Sequence, residues 1–260
     1  MNTYYVGWDV GALYCQDRSK SHDALCILGE GPEVLWSYDK AIPVSKMLKS
    51  SNNGIIGFLN NVLEPSTNQS IINKGDKLII AIDGVFRWPS ALEDIFNKEL
   101  DIGIATANDA ISNRYLYRIT EKFVKEKMIE RNKKKQDGIF KQGKTNNPFS
   151  VVQNSIGSQS IKVMCFLQIF KFQQSQRIGV WEDPNGNLAI ETYPSVVNNT
   201  KGDTDWQDAY ICASLAKMFS KQETKEKQLF DPPQNLDPET LREEGWIWFP
   251  KEPVELLNKI

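Results

Sequence analysis

Hydrophobic residues in the first part of the chain form short runs that are separated by turn-forming residues. Residues 3–10, 24–28 and 33–38 are rich in aliphatic and aromatic side chains and have the length of β-strands. The link Gly29-Glu30-Gly31-Pro32 between the second and third runs has the composition of a tight turn. Three strands with such short connections predict an antiparallel meander.

The hydrophobic period changes after the third strand. Between residues 44 and 63, apolar residues recur at helical spacing, and Ser51-Asn52-Asn53-Gly54 divides the stretch into two helical pieces. Residues 77–83 then form a continuous apolar run that ends in Asp83, which is typical of a strand buried on both faces. Because a helix-length segment precedes this strand, we expect it to lie parallel to a neighbour in the sheet.

The second half of the chain predicts further helices and one more strand. A long helix is expected from Asn108 or Asp109 to about Lys135, and a second from Ser158 or Ser160. The remaining predictions are a turn over residues 183–186, a strand over 188–193, a helix over 206–219 that Thr204 or Asp205 caps, and a strand or packed arm over 246–249. We therefore predict one α/β domain over residues 1–222, with a helical insertion at about 90–155, and a C-terminal extension over 223–260 that packs on it.

Composition narrows the classes of function. The net charge of −2 excludes a uniformly basic nucleic-acid-binding protein, so any such surface must be a local patch. The single histidine, His22, argues against serine–histidine and cysteine–histidine catalysis. The four cysteines include no Cys-x-x-Cys pair, which favours reduced thiols over a zinc site. With no signal peptide and no apolar run long enough to span a bilayer, we expect a cytoplasmic protein without membrane contact, and a homodimer is compatible with the sequence.

Five acidic residues stand in or at the ends of apolar elements. They are Asp9, Asp83, Glu191, Asp205 and Asp208. A carboxylate at the tip of an apolar strand is unfavourable unless it is paired or bound to a cation. Oxygen-only ligands suit Mg²⁺ or Mn²⁺, which can activate water for phosphodiester cleavage. We predict Asp9, Asp83, Glu191 and Asp208 as catalytic residues, and Asp9, Asp83, Asp205 and Asp208 as metal ligands.

Each of these acids also has a structural interpretation. Asp205 could serve only as the N-cap of the helix that follows, whereas Asp208 leads directly into that helix's apolar face. Asp9 and Asp83 could be turn aspartates that accept hydrogen bonds from backbone amides. Glu191 could be a strand acid in a salt bridge.

A basic segment lies between residues 121 and 145, with nine Lys and Arg against four Asp and Glu. As a local patch it could bind the phosphates of a nucleic acid, DNA or RNA. The candidate phosphate-binding residues are Arg131, Lys133, Lys134, Lys135, Lys141 and Lys144. The alternative is a solvated, lysine-rich helix end without a ligand.

Four short motifs, in this order, carry a family resemblance. They are Val6-Gly7-Trp8-Asp9-Val10-Gly11, Ile82-Asp83-Gly84, Ile190-Glu191-Thr192-Tyr193-Pro194 and Asp205-Trp206-Gln207-Asp208-Ala209. The chain resembles the ribonuclease H-like superfamily and, within it, is similar to a group of predicted nucleases of unknown function. The resemblance implies a mixed sheet of three antiparallel strands followed by parallel strands with helical crossovers, and a two-metal nuclease mechanism.

Two other functions are compatible with the same sequence. One is a catalytically inactive scaffold of this fold that binds nucleic acid or a protein. The other is a phosphotransferase of the actin and sugar-kinase kind, because Asp9-Val10-Gly11 and Asp83-Gly84 are similar to its phosphate loops.

Overall fold

The computed structural model describes residues 1–11, 13, 22–31, 33–63, 72–97, 112–134, 156–197, 204–222 and 227–252, which form an α/β fold around one mixed sheet. The strands are β1 (Thr3–Asp9), β2 (Asp23–Leu28), β3 (Val34–Lys40), β4 (Lys77–Asp83), β5 (Gln173–Gln174), β6 (Val180–Glu182), β7 (Leu188–Thr192) and β8 (Ile247–Trp248). The α-helices are α1 (Val44–Ser50), α2 (Gly54–Leu63), α3 (Ser90–Phe96), α4 (Ile119–Lys134), α5 (Ile156–Ile169), α6 (Asp205–Ser220) and α7 (Pro238–Glu244). Short 3-10 helices cover Ser51–Asn53 and Pro194–Val196.

The sheet has the strand order β3-β2-β1-β4-β7-β6-β5, and β8 pairs with β7. Strand β2 is antiparallel to both β1 and β3, which confirms the predicted meander. Strand β4 is parallel to both β1 and β7, as expected for a strand reached through a helical crossover. The predicted coarse class, an α/β fold with a mixed sheet, is therefore confirmed.

Hydrophobic side chains cover both faces of the sheet. On the first face, Trp8 and Ile82 belong to a core that includes Phe58 of α2 and Phe166 of α5. On the second face, Tyr5 and other strand residues belong to a core that includes α6 and the C-terminal segment 227–252. Successive residues of a strand point to opposite faces, so the face on which any strand residue lies follows from its position.

Helix α6 lies directly against the backbone of β1. A Cβ atom placed on Gly7 would lie 1.9 Å from the carbonyl oxygen of Ala209 and 2.2 Å from the backbone nitrogen of Ala213. No side chain larger than hydrogen fits between the strand and the helix at this point. Gly7 therefore determines how closely α6 approaches the centre of the sheet.

The C-terminal segment is part of this architecture. Strand β8 adds to β7 as a parallel strand, and Trp246, Trp248 and Phe249 are buried. The prediction of a strand or packed arm over 246–249 is confirmed.

The buried carboxylate of Glu244 connects this segment to two helices. It accepts hydrogen bonds from the backbone N–H groups of Ser90, at 3.1 Å, and Ile119, at 2.6 Å. Ser90 and Ile119 are the first residues of α3 and α4. One side chain thus caps the amino ends of both helices.

Helix α4 begins later than the sequence pattern predicts. Asn108 and Asp109 lie outside the described residues, but residues 112–118 are described and do not belong to α4, which starts at Ile119. The start is fixed by two carboxylates, because Glu121 accepts a hydrogen bond from the N–H of Arg118 at 2.7 Å and Glu244 accepts that of Ile119. None of the helices in the described ranges is long and apolar enough to cross a lipid bilayer.

Replacing Gly7 by alanine is expected to lower the free energy of unfolding by about 3 kcal/mol or more, because the new methyl group has to displace helical backbone. Urea unfolding measures the change. Gly31→Ala is the matched control, since a Cβ there meets nothing within 4 Å, and its effect should stay within about 0.5 kcal/mol. Equal stability of the two variants would show that α6 does not rest on β1 at Gly7.

Replacing Glu244 by glutamine is expected to cost about 3 kcal/mol, because a neutral amide offers one acceptor oxygen where the carboxylate caps two helices. The neighbouring Glu243 is exposed, and Glu243→Gln should change stability by less than about 0.5 kcal/mol. Chemical unfolding of both proteins tests this; a loss in Glu244→Gln no larger than in the control contradicts the double cap.

Candidate functional site

Asp9 and Asp83 are the last residues of the adjacent parallel strands β1 and β4. They are register partners, and neighbouring strands lie about 4.8 Å apart. Because side chains alternate along a strand, Asp9 lies on the same face as Tyr5, which belongs to the core of the second face. Register partners share a face, so both carboxylates stand side by side on the second face of the sheet.

The contact at Gly7 also brings the start of α6 to these strand ends. Asp208 immediately precedes Ala209, whose carbonyl oxygen lies over Gly7. One turn later, Sγ of Cys212 lies 3.3 Å from Oγ1 of Thr192, the residue that pairs with Asp83 in the next strand. Residues four apart share one face of a helix, so Asp208 and Cys212 both face the sheet.

The three aspartates repel one another. The pKa of Asp9 is raised to about 9, first by burial and then by the charges of Asp83 and Asp208. The pKa of Asp83 is raised to about 8 by burial, then by Asp208 and Glu191. Burial, followed by the charge of Asp205, raises the pKa of Asp208 to about 6. Asp9, Asp83 and Asp208 therefore form one acidic cluster whose members interact electrostatically.

The donor chemistry of the acidic cluster fits a hard divalent cation. Its ligands are carboxylate oxygens, and a cation among them would remove the repulsion that raises their pKa values. Within the described ranges, no three His, Cys, Asp or Glu side chains lie close enough together to hold a metal ion. The cluster thus offers the ligand type and the charge that suit such a cation.

Asp205 lies at the edge of this cluster. It is the first residue of α6 and is exposed, while Thr204 occupies the N-cap position without a capping hydrogen bond from its side chain. Asp205 is therefore not the N-cap residue. Its charge contributes to the raised pKa values of Asp9 and Asp208, which places it near the cluster.

Glu191 lies on the other face of the sheet. It pairs with Ile82 in register, so its side chain points away from the face that carries Asp83. Its carboxylate forms an ion pair with the buried guanidinium of Arg118 and accepts a hydrogen bond from the N–H of Phe86 at 3.1 Å. Glu191 is near enough for its charge to raise the pKa of Asp83, but its carboxylate is engaged on the opposite face and does not join the acidic cluster. Its contacts match the salt-bridge interpretation.

Asp23 is a buried acid near the cluster that sequence analysis did not single out. It accepts hydrogen bonds from Nζ of Lys162 at 2.7 and 2.6 Å, and from Nε1 of Trp8 at 2.9 Å. Asp23 directly precedes the apolar run of β2, and Lys162 stands inside the apolar stretch of α5. A charged residue in such a position is a signal for a buried ion pair.

Arg118 and Glu121 are two further buried charged residues that sequence analysis did not single out. The guanidinium of Arg118 forms ion pairs with Glu191 and Glu121, and all three side chains are buried. Glu121 stands three residues after Arg118 at the start of α4, and this spacing is typical of a helix-capping pair. The capping spacing is the only signal that the sequence carries for this network.

The basic segment is only partly described. Nη1 of Arg131 donates to the carbonyl oxygen of Val196 at 3.2 Å, and its guanidinium lies 6.0 Å from the ring centre of Phe249. Lys133 and Lys134 belong to the last turn of α4. Lys135, Lys141 and Lys144 lie outside the described residues. The phosphate-binding role of this segment stays a prediction.

Comparisons of the chain with protein-family models, curated proteins and solved structures find no match.

In the absence of divalent cations, the stability of the protein is expected to fall as the pH rises from about 5 to about 9. The folded-state pKa values of Asp9 and Asp83 lie above the ordinary value of 3.8, so in this range the folded state holds protons that the unfolded state has released. Asp9→Asn should weaken this dependence and raise the melting temperature at alkaline pH. Mg²⁺ should raise the melting temperature of the wild type at this pH but not that of Asp9→Asn.

Thermal unfolding in EDTA and in MgCl₂ measures both effects. Asp94→Asn, at an exposed position of α3, is the control and should follow the wild type. A melting temperature that depends on pH equally in the wild type and in Asp9→Asn would contradict the electrostatic account of the cluster.

Proposed function

We propose that this protein is a divalent-metal-dependent nuclease that hydrolyses phosphodiester bonds on a ribonuclease H-like fold. The observation that carries the proposal is the acidic cluster, in which two neighbouring strand ends and a helix start bring Asp9, Asp83 and Asp208 together. Clustered carboxylates with raised pKa values are common at functional sites.

The strand arrangement supports the same proposal. Along the chain there are an antiparallel meander, a helical crossover, the parallel strand β4, a mainly helical segment that ends in the short strands β5 and β6, the parallel strand β7 and the long helix α6. This succession agrees with the element order on which the family resemblance rests. In this proposal the two strand-end aspartates and Asp208 at the start of α6 would be the metal ligands that the resemblance implies.

In this proposal Asp9, Asp83 and Asp208 would hold Mg²⁺ or Mn²⁺ through their carboxylate oxygens. When bound, the cation would supply water activation and charge neutralisation at the leaving oxygen. Without it, burial and mutual repulsion favour the protonated carboxyl groups of Asp9 and Asp83 at neutral pH, because the pKa of each is raised. In this proposal the acids would release protons when the cation binds. The pairing of β1 with β4 holds the backbone of Asp9 and Asp83 in place.

The substrate in this proposal is a nucleic acid, DNA or RNA. The lysines after Arg131 would contact its phosphates, which fits the local excess of positive charge in a chain whose net charge is −2. Asp205, exposed at the start of α6, would complete the ligand set from the solvent side.

A non-catalytic scaffold that binds nucleic acid or protein is the second candidate. It is favoured by the ion pair with Arg118 that engages Glu191, one of the predicted catalytic residues. Nucleic-acid binding that does not depend on metal would support it.

A cleavage assay tests the proposal. The purified protein is incubated with labelled single-stranded, hybrid and branched substrates in Mg²⁺, Mn²⁺ or EDTA. We expect metal-dependent cleavage by the wild type and a loss of at least about 100-fold in Asp9→Asn, Asp83→Asn and Asp208→Asn, the scale for removal of one electrostatic catalytic group.

Asp94→Asn should retain the wild-type rate and serves as the matched control. The nuclease proposal fails if the wild type cleaves none of these substrates, or if Asp9→Asn cleaves as fast as the wild type.

A further inference from the structure

Two buried ion pairs lie on the first face of the sheet, behind the acidic cluster. Asp23 of β2 pairs with Lys162 of α5, and Glu191 of β7 pairs with Arg118, the residue before α4. All four side chains are at most 4% exposed. Buried ion pairs contribute little to stability compared with apolar residues of the same volume, so their presence here calls for another role.

The Asp23–Lys162 pair holds the end of β1. The strand residue next to Asp23 is Ala24, the register partner of Asp9. The carboxylate of Asp23 accepts hydrogen bonds from the side chain of Trp8 at 2.9 Å and from the N–H of Gly11 at 3.1 Å. It therefore binds the residue just before Asp9 and the second residue after it.

The Glu191–Arg118 pair holds the end of β4 in a comparable way. Glu191 is the register partner of Ile82, the residue before Asp83. Its carboxylate accepts the N–H of Phe86, and Nη1 of Arg118 donates to the carbonyl oxygen of Arg87 at 3.2 Å. The third and fourth residues after Asp83 are thus bound to this pair.

Each pair is also anchored in an element outside the two strands. Lys162 lies on α5, and the N–H of Ile42 donates to Asp23 at 2.8 Å. Arg118 binds Glu121 of α4 and donates to the carbonyl oxygen of Glu244 at 2.9 Å. The residues that flank both strand ends are therefore tied, through these ion pairs, to α5, to α4 and to the C-terminal segment.

We propose that these two ion pairs, the strand-end clamps, are positioning residues that set the separation of Asp9 and Asp83 for cation binding. The two aspartates repel each other, and the clamps bind groups on either side of these strand ends, so they oppose a separation of the two carboxylates beyond what strand pairing alone permits. The inference rests on the proposed function in that it takes the acidic cluster to bind a cation.

Because the clamp residues are charged, a role in positioning and a purely electrostatic role predict different effects of substitutions on Mn²⁺ binding. Lys162→Met removes a positive charge near the acidic cluster, so a through-space effect alone would strengthen Mn²⁺ binding. Arg118→Lys keeps the charge and loses the forked hydrogen bonds, so electrostatics alone predicts no change. Positioning predicts weaker binding in both, by about 10- to 100-fold, the usual effect of changing residues that orient metal ligands.

The dissociation constant for Mn²⁺ is measured by electron paramagnetic resonance of the free ion, on full-length protein whose folding is checked by circular dichroism. Lys127→Met, which removes a partner of the exposed pair with Glu130, is the matched control and should bind like the wild type. If Lys162→Met does not fold, the double variant Asp23→Asn/Lys162→Met, which leaves no unpaired charge, replaces it with the same expectation.

The outcomes separate this inference from the proposed function. Weaker Mn²⁺ binding in both clamp variants supports the clamps, even if no nucleic acid is cleaved. Unchanged or tighter binding in either variant, with binding abolished in Asp9→Asn, overturns the clamps and leaves the metal site intact. No Mn²⁺ binding by the wild type overturns both.

Discussion

The close contact between Gly7 and helix α6 is the constraint on which the acidic cluster depends. Without a side chain at position 7, the backbone of α6 at Ala209 and Ala213 reaches β1 directly. This approach brings Asp208 to the strand ends that carry Asp9 and Asp83. The raised pKa values of the three acids follow from their burial and proximity. The short distance between the backbones of α6 and β1 at Gly7 therefore underlies the electrostatic properties of the cluster.

The two faces of the sheet have different roles at the strand ends. Acids on the second face repel one another, whereas Asp23 and Glu191 on the first face are neutralised by Lys162 and Arg118. Strand alternation assigns each acid to its face. Thr192 and Glu191 are consecutive residues of β7, so their side chains lie on opposite faces. Thr192 lies beside the acidic cluster, and Glu191 binds the residues that follow β4 on the other face.

Local pattern is sufficient to predict most of the strands and the acids at their ends. The run 77–83 and its final Asp83 coincide with β4, because a strand buried on both faces has a continuous apolar signature. Long-range contacts are not predictable in this way. Arg118 meets Glu191 73 residues away, and Ser90 meets Glu244 154 residues away, and a single sequence carries no periodic signal for such pairs. The later start of α4 has the same cause, since Glu244 fixes it from a distant part of the chain.

The position of β8 has a consequence for biosynthesis. The last two residues of β7 obtain their β8 partner, and α3 and α4 their shared cap, only from residues 244–248. A nascent chain that has emerged from the ribosome as far as α6 still lacks these contacts. The native arrangement must therefore be completed after this late segment has been translated, and until then the end of β7 has backbone groups available to other strands in the cell.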